Sequence, residues 1–119
     1  MCQLFIQADP DLWASRTKSL RIDGVATSIR MEAFFWQTLE EIAARDHMNV
    51  NQLITKLYHE SLDADHDVGN FTSFLRVCAG RYLSMLAAGD IDRDINRPIA
   101  DFDSQRILKA ERKRRLVSV

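Results

Sequence analysis

Two cysteines, two prolines and four glycines in 119 residues leave this chain with few staples and few breakers. Cys2 and Cys78 are far apart and form no CxxC pair, so neither a disulfide framework nor a thiolate zinc site is indicated. No apolar run approaches the roughly 18 residues that a membrane span requires. The first residues lack the basic n-region and long apolar stretch of a secretory signal, so a cytoplasmic protein without membrane contact is expected. There is no glycine-rich phosphate loop and no recognisable nucleophile–base pair or acidic pair, and the expectation is a non-enzyme without a cofactor.

What is present is ordinary in amount and uneven in placement. Hydrophobic residues make up 46% and charged residues 28%, suited to one globular domain. The net charge of −1 hides a separation: residues 31–70 carry a net −6 and residues 106–119 a net +5. Bulk attraction to nucleic acid is therefore weak, and local basic patches decide.

Residues 17–30 alternate with period two. Lys18, Leu20 and Ile22 share one face, and Thr17, Ser19 and Arg21 the other. Beyond Asp23-Gly24, Val25, Thr27 and Ile29 oppose Ala26, Ser28 and Arg30. Asp-Gly between apolar neighbours predicts a two-residue hairpin, because a type I′ turn needs positive φ twice. The implied register pairs Ile22 with Val25, Leu20 with Thr27, and Thr17 with Arg30, which brings the apolar sets together.

Helical spacing follows over Glu32 to Arg45, with Phe35, Trp36, Leu39, Ile42 and Ala43 inward. Asn49 with Gln52 has capping-box spacing, and a second helix is predicted over Val50 to Leu62, with Leu53, Ile54, Leu57 and Leu62 inward. A third runs from Phe71 to Ala88 with Phe74, Leu75, Cys78, Tyr82 and Leu86 on one stripe, closed by Gly89. Residues 90–101 read as a loop, and a basic helix is expected from Ser104 to Leu116, capped by Asp103. At the N-terminus Asp9 caps a turn at Pro10, and Leu12 and Trp13 are expected to pack.

The phrases Thr27-Ser28-Ile29-Arg30-Met31-Glu32, Phe35-Trp36, Leu39-Glu40-Glu41-Ile42-Ala43 and Asn49-Val50-Asn51-Gln52-Leu53-Ile54 resemble the ribbon-helix-helix family of bacterial DNA-binding proteins, the Met-repressor and Arc class. The preceding hairpin, TSIRMEAFFW, and the Asn70-Phe71 and Leu75-Arg76-Val77-Cys78 segments look like a hairpin-extended branch of it. The resemblance implies a mainly α fold with a small β-ribbon. It implies an intertwined homodimer with an extra N-terminal hairpin strand and additional C-terminal helices. The expected organisation is an arm over 1–16, a DNA-binding and dimerisation domain over 17–65, and a helical extension with a basic tail over 66–119.

The function it implies is a sequence-specific, repressor-like regulator bound to double-stranded DNA with its ribbon in the major groove. Ala26, Ser28 and Arg30 fall at the family's base-reading positions. Arg30 suits two guanine acceptors, Ser28 either edge type, and Ala26 only an apolar contact. The bland reading of Ser28 and Arg30 is a solvated strand face. Asn49, Val50 and Asn51 fall at the family's phosphate-gripping helix start, and Lys18 and Arg21 of the hairpin are further candidates for phosphate. The alternative is an antitoxin-like interaction module whose 66–119 extension binds a protein.

His59, Asp63 and His66 have spacings that suit a metal, but no cysteine pair or further histidine completes four ligands, and no metal is expected. Cys78 reads as a buried small hydrophobe. The basic cluster Arg106, Lys109, Arg112, Lys113, Arg114 and Arg115 fits a phosphate arm, a site for an acidic partner, or pairing with the acidic middle.

Overall fold

The computed structural model describes residues 1–65 and 69–118, with side chains as far as Arg115. A short helix α1 (Cys2–Ile6) and a 3-10 turn (Pro10–Trp13) lead into the hairpin β1 (Ser15–Ile22) and β2 (Val25–Glu32). Then come α2 (Ala33–Arg45), α3 (Val50–Asp63), α4 (Phe71–Ala87), a 3-10 turn (Ile99–Asp101) and α5 (Ser104–Ser118).

The hairpin turns where Asp23-Gly24 directs it. Both residues have positive φ, 54° and 79°, as the tight type I′ turn demands. The strands pair antiparallel in the expected register, with Ile22 opposite Val25, Leu20 opposite Thr27 and Thr17 opposite Arg30. They run longer than the alternation indicated, from Ser15 to Glu32. Glu32 is therefore the last strand residue and the N-cap of α2 rather than part of its first turn.

One core joins the hairpin to three helices. Leu20, Ile29 and Met31 from the sheet, Trp36, Leu39 and Ala43 from α2, Leu53 and Ile54 from α3, and Leu75 and Ala79 from α4 form a single buried cluster. Burying the leucine, isoleucine and methionine side chains of this cluster contributes roughly 1.5–3 kcal/mol each. Trp36 also donates its Nε1–H to the Arg16 carbonyl at 2.9 Å, tying α2 to β1.

Between α2 and α3 the chain reverses at His47, whose φ is 59°. Asn49 then starts α3 with a complete capping box. Its side chain accepts from the Gln52 N–H at 2.8 Å, and Gln52 Oε1 accepts from the Asn49 N–H at 2.9 Å.

Two packing expectations are corrected. Trp13 is 55% exposed and Leu62 47% exposed, while Ser61 takes an inner position on α3. Arg45, in the last turn of α2, is 1% exposed. Its Nε donates to the Arg97 carbonyl at 3.0 Å and its Nη1 to the Tyr82 hydroxyl at 3.2 Å, and Tyr82 donates on to Glu41. Asp46 accepts from the backbone N–H groups of Ile99 and Ala100. The segment after α4 is thus fastened to the end of α2.

The basic helix α5 starts at Ser104, where Asp103 accepts from the Arg106 N–H. It docks through Arg81 on Glu111, 2.8 Å, and Arg114 on Asp90, 2.7 Å. Among the described residues no helix is long and apolar enough to cross a membrane.

Candidate nucleic-acid interface

The hairpin has a core face and an outward face, and the outward one is built from alternate residues of both strands. Thr17, Ser19 and Arg21 of β1 stand directly across from Arg30, Ser28 and Ala26 of β2, and all six are exposed. The sequence expectation that Ala26, Ser28 and Arg30 share one open face holds geometrically.

The same three residues of β2 carry free backbone groups. In a two-residue hairpin the pair flanking the turn exchanges both backbone hydrogen bonds, and bonded pairs then alternate. The Ala33 N–H donates to the Ala14 carbonyl at 2.8 Å, which continues that series past the strand ends. Ile22–Val25, Leu20–Thr27, Lys18–Ile29 and Arg16–Met31 are accordingly the bonded pairs. The N–H and C=O groups of Ala26, Ser28 and Arg30 point away from β1, toward an edge that no strand occupies among the described residues.

Arg21 and Lys18 behave differently. Arg21 is exposed, with Nη1 donating to the Gly24 carbonyl at 3.3 Å. With Asn49, Asn51, Gln52, Thr55 and Lys56 it lines an open cavity of about 450 Å³ at the start of α3. First-turn N–H groups have no acceptor within their helix. Gln52's is taken by Asn49, which leaves that of Asn51 at this cavity; Val50, whose side chain packs against the core, is not among the residues that line it.

Lys18 departs from the sequence expectation. Period two puts it on the core side, where Nζ pairs with Glu40 at 3.2 Å and lies 5.3 Å from the centre of the Trp36 ring. It is not on the face that carries Arg21.

Other candidates separate from this surface. His59 pairs with Asp23 at 3.0 Å. His66, which the metal reading needed, lies outside the described residues. Among the described residues no group of three or more His, Cys, Asp or Glu side chains is placed to hold a metal ion. Cys78 is half-buried, and burial pushes its thiol above the ordinary range. In the tail Arg106, Lys109, Arg112, Lys113 and Arg115 are exposed along α5.

Sequence reasoning missed two contributors. Glu32 accepts paired hydrogen bonds from Arg76 at 2.9 and 3.0 Å, locking the strand–helix junction to α4. Those bonds hold the Glu32 carboxyl below the usual range. Lys56 joins Arg21 and Asn49 at the cavity. The i, i+7 spacing from Asn49 was the available signal for it.

A β-ribbon that leads into a helix–turn–helix pair, with a polar outward face and a bare strand edge, defines the ribbon-helix-helix class of fold. The family model for the ribbon-helix-helix domain matches residues 15–83, and the chain belongs to that family. Among solved structures, an uncharacterized protein from Bordetella pertussis Tohama I is similar at 49% identity with a TM-score of 0.88. The alignment covers 92% of this chain and 87% of that one. No curated protein matches the chain.

Proposed function

We propose that this protein is a homodimeric, cytoplasmic, sequence-specific regulator that binds double-stranded DNA. The observation that carries the reading is a coincidence on β2. Ala26, Ser28 and Arg30 present exposed side chains on the outward face and unpaired backbone groups at the strand edge.

A second copy adding its β2 antiparallel, with Ser28 opposite Ser28, satisfies those groups about a two-fold axis. Ala26 then stands opposite the partner copy's Arg30. The edge of β1 is a poorer candidate for self-pairing, because Arg16 and Arg21 are both exposed along that strand and carry like charge.

The resulting ribbon offers Ser28 and Arg30 twice to the major groove, with Ala26 available to a thymine methyl. Asn49, Val50 and Asn51 receive a flanking phosphate at the start of α3, and Arg21 adds positive charge beside them.

Selection of random duplex DNA at near-physiological salt, with Arg30→Ala in parallel, tests this. The expected result is a short two-fold-symmetric motif whose selection is lost in the variant. Weak binding that ignores the variant and vanishes steeply with salt would refute sequence reading.

A protein-interaction role for residues 66–119, as in antitoxin members of the family, keeps one supporting observation. Val77 and Leu83 of α4 are 56% and 36% exposed.

A further inference from the structure

We propose that β1 forms a second row of the DNA interface, in which Thr17, Ser19 and Arg21 bind the phosphate walls of the groove whose floor the inner strands read. This rests on the reading of the outward face as a DNA surface. It goes beyond that reading by assigning a task to the strand that a simple two-stranded ribbon lacks.

Width comes first. Pairing through β2 gives four strands in the order β1, β2, β2, β1. Neighbouring strands lie about 4.8 Å apart, so the outer two are separated by about 14 Å. The major groove is about 12 Å wide. The inner strands fit between its walls, and the outer strands come to lie over the walls themselves. Side chains of β1 on the outward face therefore meet phosphate oxygens rather than base edges.

Chemistry agrees with position. Thr17 and Ser19 offer hydroxyl donors, and Arg21 offers a guanidinium, the side chain best matched to phosphate. None of the three is buried.

Continuity is the independent observation. Arg21 shares its cavity with Asn49, Asn51 and Lys56, so the outer strand runs directly into the start of α3. From the dyad outward the surface passes from Ser28 to Ser19 and from Ala26 to Arg21, and then on to α3. The turn acid Asp23 is engaged by His59.

The experiment is a salt titration of the full-length protein on its selected duplex, comparing wild type with Arg21→Ala, Ser19→Ala and Lys18→Ala. Each cation–phosphate contact contributes about 0.9 to the slope of log K against log salt, so Arg21→Ala should lower the slope by about 2 per dimer. It should weaken operator and random duplex alike and leave the selected motif unchanged. Ser19→Ala should weaken both duplexes with the slope retained. Lys18→Ala, on the core face, should keep the wild-type slope.

A wild-type slope in Arg21→Ala, or a changed motif in that variant, overturns the assignment while leaving Arg30 as a base reader. Failure of the wild type to select any DNA takes down the underlying reading together with it.

Discussion

Lys18 and Arg21, three residues apart on one strand, serve opposite sides of the sheet. Lys18 reaches Glu40 on α2 at 3.2 Å, while Arg21 stands on the outward face beside the start of α3. An odd separation in a period-two structure guarantees the split. Two cations that look equivalent in composition thus divide into one that joins strand to helix and one available to an external anion.

The two-fold axis proposed at Ser28 would have a covalent signature. Bonded antiparallel pairs have Cα atoms about 5.5 Å apart, within the range a disulfide tolerates. In a Cys2→Ser background, Ser28→Cys should oxidise to a covalent dimer, whereas Ala26→Cys should not, because its neighbour across the axis is Arg30. Non-reducing electrophoresis reads the result. Cross-linking of Ala26→Cys alone would place the axis elsewhere.

Asn49 caps α3, and the phosphate contact proposed for it is separable from that job. Asn49→Ala removes the cap on the Gln52 N–H and should cost about 1 kcal/mol of stability. Asn49→Asp keeps the cap but sets a negative charge where a phosphate is proposed to sit. Denaturant melts should show Asn49→Asp near wild type and Asn49→Ala weaker. DNA titration should show Asn49→Asp as the poorer binder.

The Glu32–Arg76 pair predicts a pH window. Its hydrogen bonds lower the folded-state pKa of Glu32. A depressed carboxylate stabilises the fold above the unfolded pKa, near 4.3, and that contribution is lost as pH falls through the folded value. Both side chains are about a third exposed, so the pair is worth at most about 1 kcal/mol. Arg76→Gln should be less stable than wild type at pH 7, and urea melts should show the gap closing below about pH 4. A constant gap would deny the pair any part.

Tyr82 links a buried guanidinium to a carboxylate. Tyr82→Phe keeps the ring but deprives Arg45 and Glu41 of their shared hydroxyl. Arg45 is already short of one partner, at Nη2, among the described residues. The expected loss is about 1–3 kcal/mol by denaturant melt. A cost within a few tenths would show that water replaces the hydroxyl freely.

The hairpin was readable because its determinants are local. Asp23-Gly24 sets the turn, the turn sets the register, and the register sets which residues face outward. The capping box at Asn49 was equally local. What stayed hidden depended on partners distant in sequence. Arg45 closes a helix in the sequence pattern, and nothing local shows its burial until Tyr82, Arg97 and Phe102 are seen to enclose it. Glu32 reads as a first-turn acid until Arg76 is found 44 residues away in sequence. Trp13 and Leu62 are apolar residues in positions that the pattern marks as inward, but among the described residues they stay 55% and 47% exposed, which depends on how the elements pack and not on local spacing.

The exposed cations of β1 also bear on where growth would stop. A sheet with two similar edges can add copies without limit and become a filament. Here the β2 edge carries one exposed cation, Arg30, while the β1 strand carries two, Arg16 and Arg21. If two copies join through β2 as proposed, each Arg30 faces Ala26 and only the more strongly like-charged margins remain outward. Assembly through the sheet would then end at two chains, and the residues that end it would include one proposed to meet the phosphates.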